Sequence, residues 1–199
     1  MAYKIIIAAT TEPILLAEAR DHLRIEAFGS PEAHPDDAKI ELLISSAREW
    51  CEQYTGRALA QQTIEVAYDN FPENGIELPL TPVISITSIK YIDPQGIENT
   101  LANTVYALDD YSQPNWIVLQ ANQIWPTTNG VANNVKIRLT VGNTTSNIPK
   151  AIKSAMLLLV GNLYENRQED IAATSRVTFN SLPLGVYNLL QPYRLELGV

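Results

Sequence analysis

The pattern of the sequence changes twice along the chain, and this change limits the folds that it can adopt. Helical patterns occupy residues 16–25 and 36–54. A third helix starts near residue 149 and is followed by a polar stretch at 165–180 and a short last helix at 184–191. Residues 62–141 break instead into short β-like runs. These runs cover residues 63–68, 85–92, 104–108, 116–119 and 135–141. Proline and glycine separate the runs, which is typical of antiparallel strands joined by turns. The sequence therefore predicts helices towards both ends of the chain and an antiparallel β meander between them.

Two short segments support the β prediction. In residues 135–141, valine, isoleucine and leucine alternate with lysine, arginine and threonine. Strict alternation is typical of a strand with one buried and one wet face. Residues 93–96, Asp-Pro-Gln-Gly, have the composition of a tight turn between two strands.

The second and third helices each carry an apolar stripe at helical spacing. In the second helix, which Asp36 can cap, the stripe consists of Ile40, Leu43, Ile44, Ala47, Trp50, Cys51 and Tyr54. The polar residues around that stripe are Lys39, Glu41, Arg48, Glu49 and Glu52. In the third helix Leu157, Leu158 and Val160 widen the stripe until the helix is apolar nearly all round. Such a helix is expected either at the centre of a bundle or against a neighbouring subunit.

These elements predict an α+β fold in which a small helical bundle, built from both chain ends, carries an antiparallel β insertion between the second and third helices. The helical core is expected to take residues 1–61 and 149–199, and the β-rich insertion residues 62–148. A length of 199 residues fits one domain with a large insertion.

Charge and cysteine content exclude several classes of protein. The formal net charge of −8 argues against binding to nucleic acid through its phosphates. The single cysteine, Cys51, excludes an intrachain disulfide and a cysteine-rich zinc site. The apolar run at residues 5–9 is too short for a signal peptide, and no run approaches the length of a membrane span. We expect a soluble protein, made without export, that does not bind membranes.

Residues that could carry chemistry are few and scattered. His22 follows Glu18 by one helical turn, His34 lies in a loop, and Cys51 lies on an apolar helix face, where a buried thiol is unreactive. No phosphate-binding glycine loop or nucleophile-elbow string occurs. The sequence predicts no catalytic, metal or cofactor site, and a protein that is not an enzyme.

Two alternatives stay open on the residues alone. Trp116 and Trp125 flank the β region and are expected to pack there, but they could form the platform of a monomeric carbohydrate- or protein-binding module. Asp109, Asp110 and His22 could serve a metal-dependent hydrolase if the fold brought them together.

Four strings in order along almost the whole chain resemble the head-to-tail connector, or adaptor, proteins of tailed bacteriophages and prophages. They are PILLAEARDHLR at 13–24, AREWCEQYTGRAL at 47–59, LLLVGNLYENR at 157–167, and LPLGV at 182–186 followed by LLQPYR at 189–194. The first string departs from the family at Leu15, where the family usually has a serine or threonine that caps the first helix. Loss of such a cap costs about 1 kcal/mol.

The resemblance implies a structural virion protein of the neck region, present in the host cytoplasm during assembly. About twelve copies would form a ring below the portal protein, extend the DNA channel, and offer a docking surface to a downstream neck, head-closure or tail protein. Duplex DNA would pass through without specific binding. The acidic balance suits such a channel, because a basic lining would hold DNA through counterion release.

Attachment to the portal is expected from the C-terminal part of the chain, where polar and aromatic segments have little capacity to form a core of their own. We expect these segments to order against neighbouring copies or the portal, so that many weak contacts add up. The candidate partner-binding residues are Arg167, Arg176, Leu182, Pro192, Tyr193, Arg194, Leu195 and Leu197.

Overall fold

The computed structural model describes residues 3–26, 28, 33–144, 147–166 and 184–195. Within these ranges the chain forms two compact units. The sheet unit holds residues 3–11, 56–143 and Leu195, and the helical unit holds the described residues of 12–55 and 144–194. Across the same ranges, each helix is too short or too polar to cross a lipid bilayer.

The sheet unit contains eight strands among the described residues. They are β1 (Tyr3–Ile7), β2 (Gln62–Tyr68), β3 (Ile76–Glu77), β4 (Val83–Ile92), β5 (Glu98–Thr100), β6 (Tyr106–Asp109), β7 (Trp116–Leu119) and β8 (Val135–Val141). Five of them form an antiparallel sheet in the order β1-β2-β8-β4-β5, and the other three form a second sheet in the order β3-β7-β6.

Strand β8 lies at the centre of the larger sheet. The predicted alternation is confirmed, because its four apolar residues are fully buried whereas Lys136 and Arg138 are exposed. The predicted meander is wrong, since β8, the last strand in sequence, pairs with both β2 and β4. A central position gives the apolar face of β8 neighbours on both sides, which a position at the end of a meander would not.

The core of the sheet unit is aliphatic. Its most buried members are Ile64, Val66, Ile76, Leu78, Ile89, Ile117, Val135, Ile137, Leu139 and Val141. Full burial of one such side chain contributes about 1.5–3 kcal/mol, so this core holds the unit together.

The predicted turn between β4 and β5 is confirmed. The amide of Gly96 donates to the carbonyl of Asp93 at 2.9 Å. The carboxylate of Asp93 accepts hydrogen bonds from the amides of Ile97 and Gln95 at 2.9 and 3.0 Å. These bonds, with that to the Ile97 amide contributing most, hold the pKa of Asp93 below its ordinary value. Gly96 has a φ of +84°, a conformation that glycine adopts without strain.

The helical unit contains four α-helices among the described residues. They are α1 (Leu16–Leu23), α2 (Asp37–Thr55), α3 (Lys150–Glu165) and α4 (Leu184–Leu190), which a 3-10 turn at Gln191–Tyr193 follows. The buried residues of α2 include Ile40, Ile44, Ala47 and Cys51, and those of α3 are Ile152, Ala155, Met156, Leu159 and Val160. Burial raises the pKa of the Cys51 thiol to about 12, as expected for an unreactive core cysteine.

Helix α1 begins after Leu15 despite the missing side-chain cap. Leu15 stands at the N-cap position with an extended backbone and no side-chain hydrogen bond. The carboxylate of Glu18 accepts a hydrogen bond from the Leu15 amide at 2.8 Å. This contact is one half of a capping box, so part of the lost capping is recovered.

The predicted fold class is corrected by these observations. The α+β description fits broadly, but the molecule is not a small helical bundle with a β insertion, because the two antiparallel sheets form a large part of it. Strand β1 lies before all the helices and pairs with β2, so a chain end also contributes to the sheet. Its run of β-branched isoleucines, Ile5–Ile7, favours a strand there.

The acidic pair that begins α2 has partners inside the helical unit. Asp36 accepts a hydrogen bond from the hydroxyl of Tyr164. Asp37 accepts one from Nε of Arg20 at 2.7 Å and one from the amide of His34 at 2.7 Å. The hydrogen bond from Arg20, followed by that from the His34 amide, holds the pKa of Asp37 below its ordinary value of 3.8.

We expect the Asp37–Arg20 pair to make the stability of the folded protein depend on pH in the acidic range. Because the pKa of Asp37 is lower in the folded state, its contribution is present above pH 4 and is lost as the pH falls through the lowered pKa. Asp37→Asn should therefore lower the urea midpoint at pH 7, and this difference from the wild type should shrink towards pH 2. Asp110→Asn, at an exposed position, is the control. A difference that stays constant with pH would contradict the expectation.

Candidate assembly surfaces

The acidic and imidazole groups singled out from the sequence do not form a metal centre. No group of three or more histidine, cysteine, aspartate or glutamate side chains that could hold a metal ion occurs among the described residues. Asp109 accepts hydrogen bonds from the Ser112 hydroxyl at 2.7 Å and the Tyr111 amide at 3.1 Å. The Ser112 bonds lower its pKa most. Asp109 thus closes the turn after β6, while His22 lies exposed on α1 of the other unit.

The tryptophans of the sheet unit differ in their surroundings. Trp125 stacks on Phe71, with ring centroids 4.9 Å apart and planes 3° apart, and packs against the aliphatic core. The expectation that it packs is confirmed. Trp116 is half-buried and faces Glu77 across β3 and β7. An aromatic platform for sugars needs an open ring face, which the stacked Trp125 does not offer on the side of Phe71.

A cluster of aromatic rings lies at the end of α2. Trp50 stacks on Tyr54 with centroids 5.3 Å apart, and Tyr187 of α4 meets both rings edge-on, at 5.6 and 5.5 Å. The sequence assigned Trp50 and Tyr54 to the core, and both are half-buried. The Tyr54 hydroxyl donates to Oε1 of Gln191 at 2.8 Å. These contacts fix α4 and the following turn on α2.

The candidate partner-binding residues fall into two groups. Arg167, Arg176, Leu182 and Leu197 lie outside the described residues. Pro192 and Arg194 are exposed, and Tyr193 and Leu195 are half-buried. The Arg194 guanidinium lies 5.5 Å from the centre of the Tyr54 ring, a cation–π contact. The structure therefore places Pro192–Leu195 together, directly after the aromatic cluster.

The surface that the sequence analysis missed is β1. All five of its residues are exposed, including three isoleucines. A monomer gains little by exposing such a strand, so β1 is a candidate contact surface. The run Ile5-Ile6-Ile7 was visible in the sequence, but three consecutive apolar residues show no period, and periodicity was the signal that identified the other strands.

Comparisons with known proteins give one family match and several fold matches. The head completion protein family matches residues 24–195 of this chain. This range includes all the connector-like strings except most of the first, at 13–24. No curated protein sequence matches the chain significantly.

Three of the solved structures that the chain is similar to come from gene transfer agent particles. One is described as the neck of an empty particle computed with C6 symmetry, with a TM-score of 0.80 and 23% identity. A second is the virion of the native particle, at 0.77 and 24%, and a third the neck of the native particle computed with C12 symmetry, at 0.72 and 24%. Each match covers 100% of this chain and 98% of the other chain.

At these identities the structural matches show a shared fold, including the arrangement of the sheets and helices. The family match covers most of the chain and is the stronger finding about identity. It confirms the resemblance to phage connectors that the ordered strings carry. This chain belongs to the head completion protein family.

Proposed function

We propose that the chain is a structural, non-enzymatic subunit of the virion neck that joins the DNA-filled head to the tail. The family match over residues 24–195 carries this proposal. The fold shared with chains from gene transfer agent particles, two of them neck structures, supports it. The protein would act in the host cytoplasm during assembly and in the neck of the finished particle.

The subunits would form a ring of about twelve copies. The symmetry of the neck structure that was computed with C12 supports this number. Exposed apolar side chains on several elements support contacts with other chains. They are Ile5, Ile6, Ile7, Phe28, Leu42, Ile84, Ile97, Ile124 and Leu184. The portal would bind on one side of the ring, and a neck, head-closure or tail protein on the other.

Duplex DNA would pass through the ring without specific binding. The net charge of −8 supports this, because an acidic or neutral channel gains nothing from counterion release. Particles produced without this chain test the proposed function. Electron microscopy should show DNA-filled heads that lack tails, and supplying the chain should restore tailed particles. Normal tailed particles without the chain would overturn the proposal.

The C-terminal residues would bind the portal. Pro192 and Arg194 are exposed at the end of the described chain, and Arg167, Arg176, Leu182 and Leu197 belong to the flanking polar and apolar segments. Weak contacts of this kind gain strength when about twelve of them act together, since each bound copy raises the effective concentration of the next contact.

Deletion of residues 192–199 should reduce binding to the portal at least tenfold and leave the circular dichroism spectrum unchanged, because the described residues among them, 192–195, do not belong to the buried core. Pull-down with the cognate portal protein measures the effect. A shorter deletion, of residues 196–199, keeps the contact between Arg194 and Tyr54 and should have a smaller effect. Tyr111→Ala, at a residue that is 96% exposed in the sheet unit, is the matched control. Unchanged binding after the longer deletion would reject the assignment.

A further inference from the structure

The outer strand of the larger sheet leaves an apolar row uncovered. Ile5 of β1 pairs with Ile64 of β2, and Ile64 is fully buried while Ile5 is 56% exposed. Ile6 and Ile7 are 41% and 58% exposed. The row that contains the buried Ile64 therefore reaches the edge of the sheet at Ile5, whose side chain is more than half exposed, whereas Ile7 is registered with Thr63 of the opposite row.

The strand registers show which residues lie side by side across the sheet, that is, at the same level along the strand direction. Ile5 lies beside Ile64, Ile64 beside Leu139, and Leu139 beside Ile86. On the opposite face, Lys4, Glu65, Arg138 and Ser88 form the corresponding row, in which Arg138 and Glu65 make an ion pair at 3.0 Å. Strand β1 therefore lies at the level of residues 85–89 of β4.

The same part of β4 forms the open section of the opposite edge. Strand β5 pairs with Lys90, Tyr91 and Ile92 of β4. Within the described ranges, no strand pairs with residues 84–88 on the side away from β8. Ile84 is 48% exposed there, and Ser85 and Thr87 are exposed as well. The two open edges share the level of residues 85–88, where Lys4, Ile5 and Ile7 lie level with Ser88, Ile86 and Ser85. Ile89, at the level of Tyr3, already accepts a hydrogen bond from the Leu101 amide at 2.8 Å.

The strand directions also fit each other. Strand β1 is antiparallel to β2, β2 to β8, and β8 to β4, so β1 and β4 run in opposite directions. Where the ring axis runs parallel to the strands, rotation from one copy to the next leaves the direction of every strand unchanged. The β1 edge of one copy would then meet the β4 edge of the next as an antiparallel pair, without a shift in level.

We propose that residues 4–7 of β1 in each subunit pair with residues 85–88 of β4 in the neighbouring copy, so that the larger sheets join around the ring. This proposal rests on the proposed function, which supplies the ring. The contact is head-to-tail, the type that closes into rings, and it uses strand addition at a sheet edge. Ile5 of one copy would extend the row that ends at Ile86 of the next.

A second copy suits this edge better than an unrelated strand because both halves of the contact are present in one chain, with matching level and direction over residues 4–7 and 85–88. Both edges carry bulges, at Ile5/Ile7 in β1 and at Ile86/Ser88 in β4. Bulges discourage indiscriminate pairing of edge strands. Pairing should therefore be weak between free subunits and form when the portal brings the copies together.

Disulfide trapping tests the contact directly. Lys4 and Ser88 share a row, so they should face each other across the boundary between copies. The Lys4→Cys/Ser88→Cys variant, assembled on the portal and oxidised, should give a ladder of covalent oligomers on a non-reducing gel. Lys4→Cys/Thr100→Cys is the matched control, because Thr100 lies on β5 at the same edge but at the level of Lys90. Buried Cys51 should take no part in the reaction.

The outcomes separate this proposal from the proposed function. Rings on the portal in micrographs without a Lys4→Cys/Ser88→Cys ladder would overturn the edge pairing and leave the function intact. An equal ladder from the Thr100 control, or a crosslink from position 4 to the portal, would also overturn it. If the wild-type chain forms no ring on the portal, both proposals fail.

A second variant measures the same contact without cysteines. Ile5→Asp should weaken ring assembly on the portal at least tenfold and leave the circular dichroism spectrum unchanged, since Ile5 is already exposed. Tyr111→Asp, at a residue that is 96% exposed outside the strands, is its control. Equal assembly of the two variants would contradict the edge pairing.

Discussion

Gly142→Ala is expected to destabilise the folded protein by about 4 kcal/mol, through backbone strain and a steric clash acting together. Gly142 follows directly after β8 and has a φ of +108°, which side chains rarely allow. A Cβ atom there would lie 2.1 Å from the carbonyl oxygen of Ala60 and 2.5 Å from its carbonyl carbon. No rotamer can relieve a contact with backbone, so the strand end itself would have to move.

The surroundings of Gly142 resist such a movement. Its amide donates to the carbonyl of Pro82 at 2.9 Å, and the adjacent Asn143 forms a parallel bridge with Ala60. A displaced Gly142 would therefore disturb the end of the central strand β8 on both sides.

Gly96→Ala is the control for the conformational part of this effect. Gly96 also has a positive φ, of +84°, but a Cβ atom there would meet no atom within 4 Å. Its substitution should cost about 1–2 kcal/mol, the strain of a left-handed residue alone. Urea unfolding, followed by tryptophan fluorescence and circular dichroism, gives both values. If the two variants lose equal amounts of stability, the backbone contact at Gly142 does not contribute to the free energy of unfolding.

Local sequence patterns identified the elements whose signals lie within a few residues. The alternation of residues 135–141 predicted β8, and the Asp-Pro-Gln-Gly string predicted the turn before β5, because each depends on neighbouring positions. The order of the strands in the sheet does not depend on neighbouring positions in the sequence. The position of β8 between β2 and β4 depends on pairings between residues about 45 to 80 positions apart, which no local pattern encodes.

The surfaces for assembly were predicted less completely. Aromatic and basic residues near the C-terminus pointed to Pro192–Arg194, and the structure places these residues after the aromatic cluster of Trp50, Tyr54 and Tyr187. Strand β1 was missed, since its exposure becomes visible only when its partner β2 and the edge position are known.

Arg48, in the helical unit, also has a partner that a local sequence pattern could not identify. Its charge placed it on the polar side of α2, but it is 8% exposed. Its Nε donates to Glu12 at 2.9 Å and its Nη1 donates to Glu52 at 2.8 Å. Burial lowers the pKa of Arg48, but the hydrogen bonds and charges of Glu12 and Glu52 outweigh this effect and raise the pKa above its ordinary value. Glu12 lies 36 positions away in sequence, so the pairing could not be read from the helix alone.

Arg48→Ala is expected to cost about 3 kcal/mol, because it leaves the carboxylates of Glu12 and Glu52 without their shared partner in a mostly buried site. The loss should come chiefly from these uncompensated charges, and the triple variant Arg48→Met/Glu12→Gln/Glu52→Gln should then recover most of the stability. The amide oxygen that Glu12→Gln introduces can still accept the hydrogen bond that the Ser45 hydroxyl gives Glu12 at 2.9 Å.

Arg138→Ala, which removes the more exposed ion pair with Glu65, should cost no more than about 1 kcal/mol. Urea midpoints at pH 7 compare the three variants. A triple variant as unstable as Arg48→Ala would show that the packing of the Arg48 side chain, and not its charge, holds Glu12 on α2.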